Sequence, residues 1–142
     1  MLFRSLETNY FLDYQGVRFI ALNSNVMIDE QMEWLETVLK NNPHKWTIAF
    51  FHHPLYSATT KRDYPERRKR WKPLFDKYGV DLVLNGHDHT YARGHIPVKS
   101  PSIDISGNFK TLYVTSVSGP KQYKLDKEQI KSYQADGYKS DM

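Results

Sequence analysis

Four of the six histidines in this 142-residue chain fall into two clusters, His52-His53-Pro54 and Gly86-His87-Asp88-His89. Cysteine is absent, which excludes thiolate metal sites, disulfides and Cys nucleophiles. Imidazole and carboxylate are the donors left for a metal. In an extended stretch His87 and His89 point to one side, ~6.6 Å apart at the backbone. Two ions in a dinuclear hydrolase lie about 3.5–4 Å apart, and a histidine nitrogen binds at about 2.1 Å. The spacing therefore suits one histidine per ion better than two on one small ion. Gly86 permits a sharp turn ahead of them. The bland alternative is a polar turn after a strand, in which His-x-His binds nothing. For His52-His53 it is an exposed pair closing a strand.

Both clusters stand at expected strand ends. Trp46 to Phe51 is a continuous apolar run that reads as a buried strand, stopped by Pro54. Val80 to Leu84 is a second short buried strand, running into Asn85-Gly86-His87. Between them Pro65 suits the first turn of a helix and Gly79 its C-terminal cap. Upstream, Tyr10 to Asn25 reads as two strands around Gln15-Gly16. Asp29 reads as an N-cap, and Met32, Leu35, Val38 and Leu39 fall at helical spacing over about Glu30 to Lys40. His95 to Asn108 reads as a loop and Thr111 to Ser118 as a strand closed by Gly119-Pro120. The remainder is polar with weak periodicity. Alternating helices and strands point to an α/β layered fold with parallel pairing. Such sheets form their sites beyond the C-terminal ends of the strands, so one crossover helix would bring both clusters to one crevice.

Phe50-Phe51-His52-His53-Pro54-Leu55-Tyr56-Ser57 and the run from Val80 through Asn85-Gly86-His87-Asp88-His89-Thr90-Tyr91 to Arg93 resemble two motifs. These are the last two metal-binding motifs of the calcineurin-like metallophosphoesterases. The spacing, the intervening helix and the aromatic after the second motif are closest to the purple acid phosphatase-like branch. The resemblance extends from about Tyr10 to Pro120. It implies the C-terminal half of an α/β/β/α sandwich. For a complete protein it implies metal-dependent hydrolysis of phosphate monoesters or diesters at a dinuclear site. On the same resemblance His52 and His87 bind one metal, His89 binds the other, and His53 has a catalytic role against the substrate phosphate. Two divalent or trivalent ions (Fe, Zn or Mn) would fill the complete site. Arg62, Tyr56 and Tyr91 are the candidate substrate-binding residues, Arg62 by attracting phosphate and the tyrosines as pocket walls. Ala92 stands where the family pattern Tyr-Glu-Arg has its acid, so no acid role is assigned there.

The family's earlier motifs (Asp-x-His or Asp-x-Gly, Gly-Asp, and Gly-Asn-His) have no counterpart in these 142 residues. The bridging carboxylate is missing with them. The expectation is a partial domain over residues 1–142 that is inactive alone. It would leave an open sheet edge at Trp46–Phe51 and Val80–Leu84 and a broad apolar surface, to be covered by self-association or by a complementary N-terminal fragment. The resemblance suggests a secreted or periplasmic protein, although the first ten residues contain no signal-peptide apolar core. No apolar run reaches the length of a membrane span. The formal charge of +4 is too small to argue nucleic-acid binding. Arg67-Arg68-Lys69-Arg70 reads mainly as a solvated helix face, with guidance of phosphate esters as its functional alternative. Two other classes stay open: a non-catalytic half-domain that holds one metal, and a basic module for anionic polymers.

Overall fold

The computed structural model describes residues 9–94, 111–116, 119–131 and 135–138. In chain order the elements are β1 (Tyr10–Tyr14), β2 (Val17–Ala21), α1 (Gln31–Lys40), β3 (Trp46–Phe51) and α2 (Pro65–Tyr78). Then come β4 (Leu82–Asn85), β5 (Tyr91–Gly94), β6 (Leu112–Thr115), α3 (Lys127–Lys131) and β7 (Ala135–Tyr138). The strands form one seven-stranded sheet in the order β1-β2-β3-β4-β6-β5-β7. Strands β2, β3, β4 and β6 run parallel, and β1, β5 and β7 add antiparallel pairs at the two sides.

Local chemistry explains the joints. Gln15 and Gly16 have φ of 47° and 80°, the left-handed pair that a two-residue hairpin turn requires. Pro65 opens α2, and Gly79 closes it in the left-handed conformation. Asp29 does not cap α1: Glu30 holds that position without a side-chain hydrogen bond, and the Asp29 carboxylate pairs with Arg70 instead. The start of α1 is held by Gln31, whose amide donates to the carbonyls of Asn23, Val26 and Met27.

Strand periodicity divides the sheet into two faces. Ile20, Ala49, Phe51, Val83 and Tyr113 point to one side. There they meet Leu35, Val38 and Leu39 of α1 and Trp71, Leu74 and Phe75 of α2. Trp71 and Phe75 are wholly buried. At ~150–250 Å² per aromatic, each supplies about 4–6 kcal/mol of gross burial. The other side carries Val17, Phe19, Trp46, Ile48, Phe50, Leu82, Leu84, Leu112 and Val114. None of these is fully buried, and Trp46, Leu84 and Leu112 are 50%, 41% and 40% exposed.

This corrects the expectation of open edges. Strands β3 and β4 are interior, each paired on both sides. The hairpin β1–β2 covers one flank, and β6 inserts beside β4 on the other. What lies open is an apolar face of the sheet. Strand β5 was also not legible as a strand: Tyr91-Ala92-Arg93-Gly94 becomes one through antiparallel pairing with β6 and β7. The expected loop over residues 95–108 lies outside the described residues.

Candidate metal centre

The two histidine clusters follow β3 and β4, which are adjacent parallel strands. Their ends are fastened together. Asn85 Nδ2 donates to the Phe51 carbonyl at 3.0 Å, and the Gly86 N–H donates to the His52 carbonyl at 3.0 Å. The sharp bend falls one residue later than Gly86. His87 has φ of 64°, and the Asp88 N–H closes a three-residue turn onto the Gly86 carbonyl at 2.7 Å. A left-handed histidine is strained, of order 1–2 kcal/mol, so something must hold it.

Asp88 does so. It is completely buried, and its Oδ2 accepts hydrogen bonds from Ser57 Oγ at 2.6 Å and the Ala58 N–H at 3.2 Å. Its other oxygen is buried with no hydrogen-bond partner among the described residues. The stretch is therefore bent at His87 rather than extended. The reason is tertiary: the loop after β3 offers Asp88 two donors, and the chain turns to reach them.

His52 Nε2 and His87 Nδ1 stand 3.0 Å apart. Two nitrogens each about 2.1 Å from one ion would be separated by about 3.0–3.4 Å, so this pair fits one shared metal. Ring nitrogens of His52, His53 and His87 all lie within 4.8 Å of one another. Among the described residues this is the group able to hold an ion, and no carboxylate joins it. Zinc, iron and manganese all accept imidazole, so the donors leave the metal undecided.

His53 is anchored from a third strand end. Ser24, just beyond β2, accepts the His53 backbone N–H on Oγ at 2.9 Å and contacts Nδ1 at 3.0 Å. Burial, then the charges of Arg67, His87 and His52, lower the His53 pKa to about 4. Burial and Arg62 likewise lower His87, against a smaller upward pull from Asp88. Both rings are thus neutral near pH 7, the form that binds metal. Tyr64 OH meets His87 Nε2 at 2.8 Å.

The other candidates are placed as follows. His89 lies outside the three-histidine group; its Nδ1 donates to the Lys121 carbonyl at 3.1 Å, and its ring stands 4.7 Å from that of Tyr123. Arg62 donates to the His87 carbonyl at 3.3 Å and to Tyr123 OH at 3.4 Å, with its guanidinium over the Tyr123 ring. Tyr56 is half-buried against Tyr113 and Arg68, and burial pushes its phenol pKa up. Tyr91 is half-buried in β5, on the face of the sheet away from α1 and α2.

Sequence reasoning missed Ser24, Tyr64 and Asp88. One signal existed for Ser24: Asn23-Ser24-Asn25 ends a third strand on the same side as both histidine clusters. Tyr64 and Asp88 gave none, because each acts through a partner 23 or 31 residues away. The basic run Arg67–Arg70 is only partly solvated, since Arg67 and Arg68 are half-buried.

Known proteins resemble this chain in sequence and in fold. A family model described as calcineurin-like phosphoesterase matches residues 2–91. The chain is 32% identical over 94 residues to purple acid phosphatase 15 of Arabidopsis thaliana, covering 61% of this chain and 18% of that protein. It is 31% identical over 119 residues to purple acid phosphatase 21 of the same plant, covering 78% and 26%. Among solved structures, the yellow lupin (Lupinus luteus) purple acid phosphatase PPD1 superposes with a TM-score of 0.63 at 26% identity, over 75% of this chain and 22% of that one. The chain thus spans a minor part of each relative's length. Among the described residues, no helix is long and apolar enough to cross a membrane.

Proposed function

The chain belongs to the calcineurin-like phosphoesterase family, on its purple acid phosphatase-like branch, and from that premise we propose that it contributes part of a metal site that hydrolyses phosphate esters. One observation supports the reading most directly: His52 Nε2 and His87 Nδ1 lie 3.0 Å apart at the ends of adjacent parallel strands. A metal held there would supply Lewis acidity to a phosphoryl oxygen.

The chain's own residues have separable tasks. His52 and His87 hold the ion. Ser24 fixes the ring of His53, whose neutral imidazole is placed to hydrogen-bond a phosphoryl oxygen. Arg62 brings positive charge to the edge of the site. Tyr64 steers His87 through Nε2. His89 is proposed for a second ion, whose remaining ligands are not among the described residues. With histidines alone in the cluster and no carboxylate beside them among the described residues, this chain by itself should hold one ion and hydrolyse substrate negligibly. The dinuclear site, and turnover, are proposed for a protein carrying the full ligand set.

The test is metal stoichiometry together with turnover of p-nitrophenyl phosphate, on chain loaded with zinc, manganese or iron. About one ion per chain, lost in His87→Ala, and negligible turnover are the expected results. Metal-dependent turnover by the pure chain, abolished in His87→Ala, would show that another acid has been recruited. A chain that takes up no metal would contradict the reading.

A further inference from the structure

We infer that Arg67 is a substrate-binding residue, whose guanidinium grips phosphoryl oxygens beside the histidine cluster from the Ser24 side, while Arg62 approaches from the Tyr123 side. The inference rests on the phosphoesterase reading of the site and adds to it a second cationic contact.

The first observation is one of charge. Basic residues crowd the start of α2, and most are neutralised where they stand. Arg68 pairs with Asp63 at 2.6 Å and Lys69 with Glu66 at 2.7 Å. Arg70 pairs with Asp29, and Lys72 with Asp76. Arg67 has no carboxylate partner among the described residues. It is also half-buried, and burial pulls its pKa down. A partly desolvated, uncompensated cation is unfavourable in the empty site and favourable once an anion sits against it.

The second observation is one of position. Arg67 Nε donates to the Ser24 carbonyl at 2.8 Å, and its guanidinium lies 4.3 Å over the ring of Tyr64. Both partners are tied to the cluster. Ser24 Oγ contacts His53 Nδ1, and Tyr64 OH contacts His87 Nε2. The side chain is thus fixed at Nε and by stacking. Its two terminal nitrogens make no hydrogen bond among the described residues, and they form the planar fork that matches a tetrahedral oxyanion.

The third observation is one of access. Arg67 lines a groove of about 470 Å³ with Ile28, Tyr64, Pro65 and Arg70 and with three acids, Asp29, Asp63 and Glu66, each of which already pairs with another base of α2. The guanidinium is therefore reachable from solvent, and its tie to the histidines runs through Ser24 and Tyr64.

The experiment measures binding of inorganic phosphate by calorimetry to the metal-free and zinc-loaded chain. Wild type, Arg67→Gln, Arg67→Lys and Arg70→Gln are compared, and zinc affinity is measured separately for each. Loss of a charge-assisted contact predicts that Arg67→Gln weakens phosphate about tenfold to a hundredfold. Zinc affinity should be unchanged. Arg67→Lys should recover part of the loss, since the charge stays and the fork goes. Arg70→Gln, in the same groove but already paired with Asp29, should bind phosphate like wild type. If Arg67→Gln fails to fold, the graded loss in Arg67→Lys carries the test. Equal phosphate affinity in wild type and the Arg67 variants would overturn the inference. So would an equal loss in Arg70→Gln, which would mean general charge, or the absence of millimolar phosphate binding by wild type. A chain that binds phosphate through Arg67 but takes up no zinc would sink the metal reading and leave this one standing.

Discussion

The histidine cluster depends on residues that lie outside it. His87 is held in a left-handed turn because Asp88 is drawn into the interior by Ser57 Oγ and the Ala58 N–H. Asp88→Ala would leave the Ala58 N–H buried without its acceptor and Ser57 Oγ with its longer contacts to Thr59, a loss of about 1–3 kcal/mol. It should also release His87, so metal affinity should fall along with the urea midpoint. An unchanged midpoint would mean that the turn is held by other contacts. A second acid sets an acid limit on the fold. The Arg18 guanidinium, with His44 assisting, holds the Asp13 carboxyl well below its ordinary 3.8, at about 2. The folded pKa is depressed, so this ion pair contributes its full stability above about pH 4. That contribution is lost as pH falls towards 2. The melting-temperature gap between wild type and Asp13→Asn should therefore be constant at neutral pH and close between about pH 4 and pH 2. A gap that does not change over that window would contradict the pairing.

At the scale of elements, the histidine-bearing loops follow the ends of strands whose order is set by two crossovers. Helix α1 carries the chain from β2 to β3, and α2 carries it from β3 to β4. Each returns the next strand parallel, with its loop on the same side. The reversal after α2 depends on Gly79, at φ 66° and ψ 48°. A Cβ built there meets nothing within 4 Å. Gly79→Ala should therefore cost only the backbone strain, about 1–2 kcal/mol. A loss well beyond that in chemical denaturation would point to hidden crowding. These elements were legible because their signals are local: continuous apolar runs for β3 and β4, Pro65 and Gly79 for the bounds of α2, Gln15-Gly16 for the hairpin. Strand β5 was not, since Tyr91-Ala92-Arg93-Gly94 has no apolar pattern and exists through its pairing with β6 and β7. The bend at His87 was not, because it is decided by Ser57, thirty residues earlier. Its consequence, His89 facing Lys121 and Tyr123 rather than His52, was equally hidden.

At the scale of the molecule, one face of the sheet is covered by α1 and α2, and the other exposes Trp46, Leu84 and Leu112 to solvent with half-buried Phe19, Ile48, Phe50 and Val114 between them. An apolar area of this kind is rare on a stable monomer. The isolated chain should therefore self-associate through that face. Sedimentation should show mass rising with concentration, and Leu84→Lys with Leu112→Lys should suppress it. Concentration-independent monomer in the wild type would contradict this account. The central claim is narrower and concerns the histidines: His52 and His87 share one metal. Cobalt titration followed by visible absorption tests it most directly, because ligand-field bands report imidazole coordination without requiring turnover. The account predicts bands saturating at about one ion per chain. These should be abolished in His52→Ala and His87→Ala and retained in His44→Ala, whose ring pairs with Asp13 elsewhere in the fold. Saturable bands that persist in both His52→Ala and His87→Ala would place the metal somewhere else and contradict the site described.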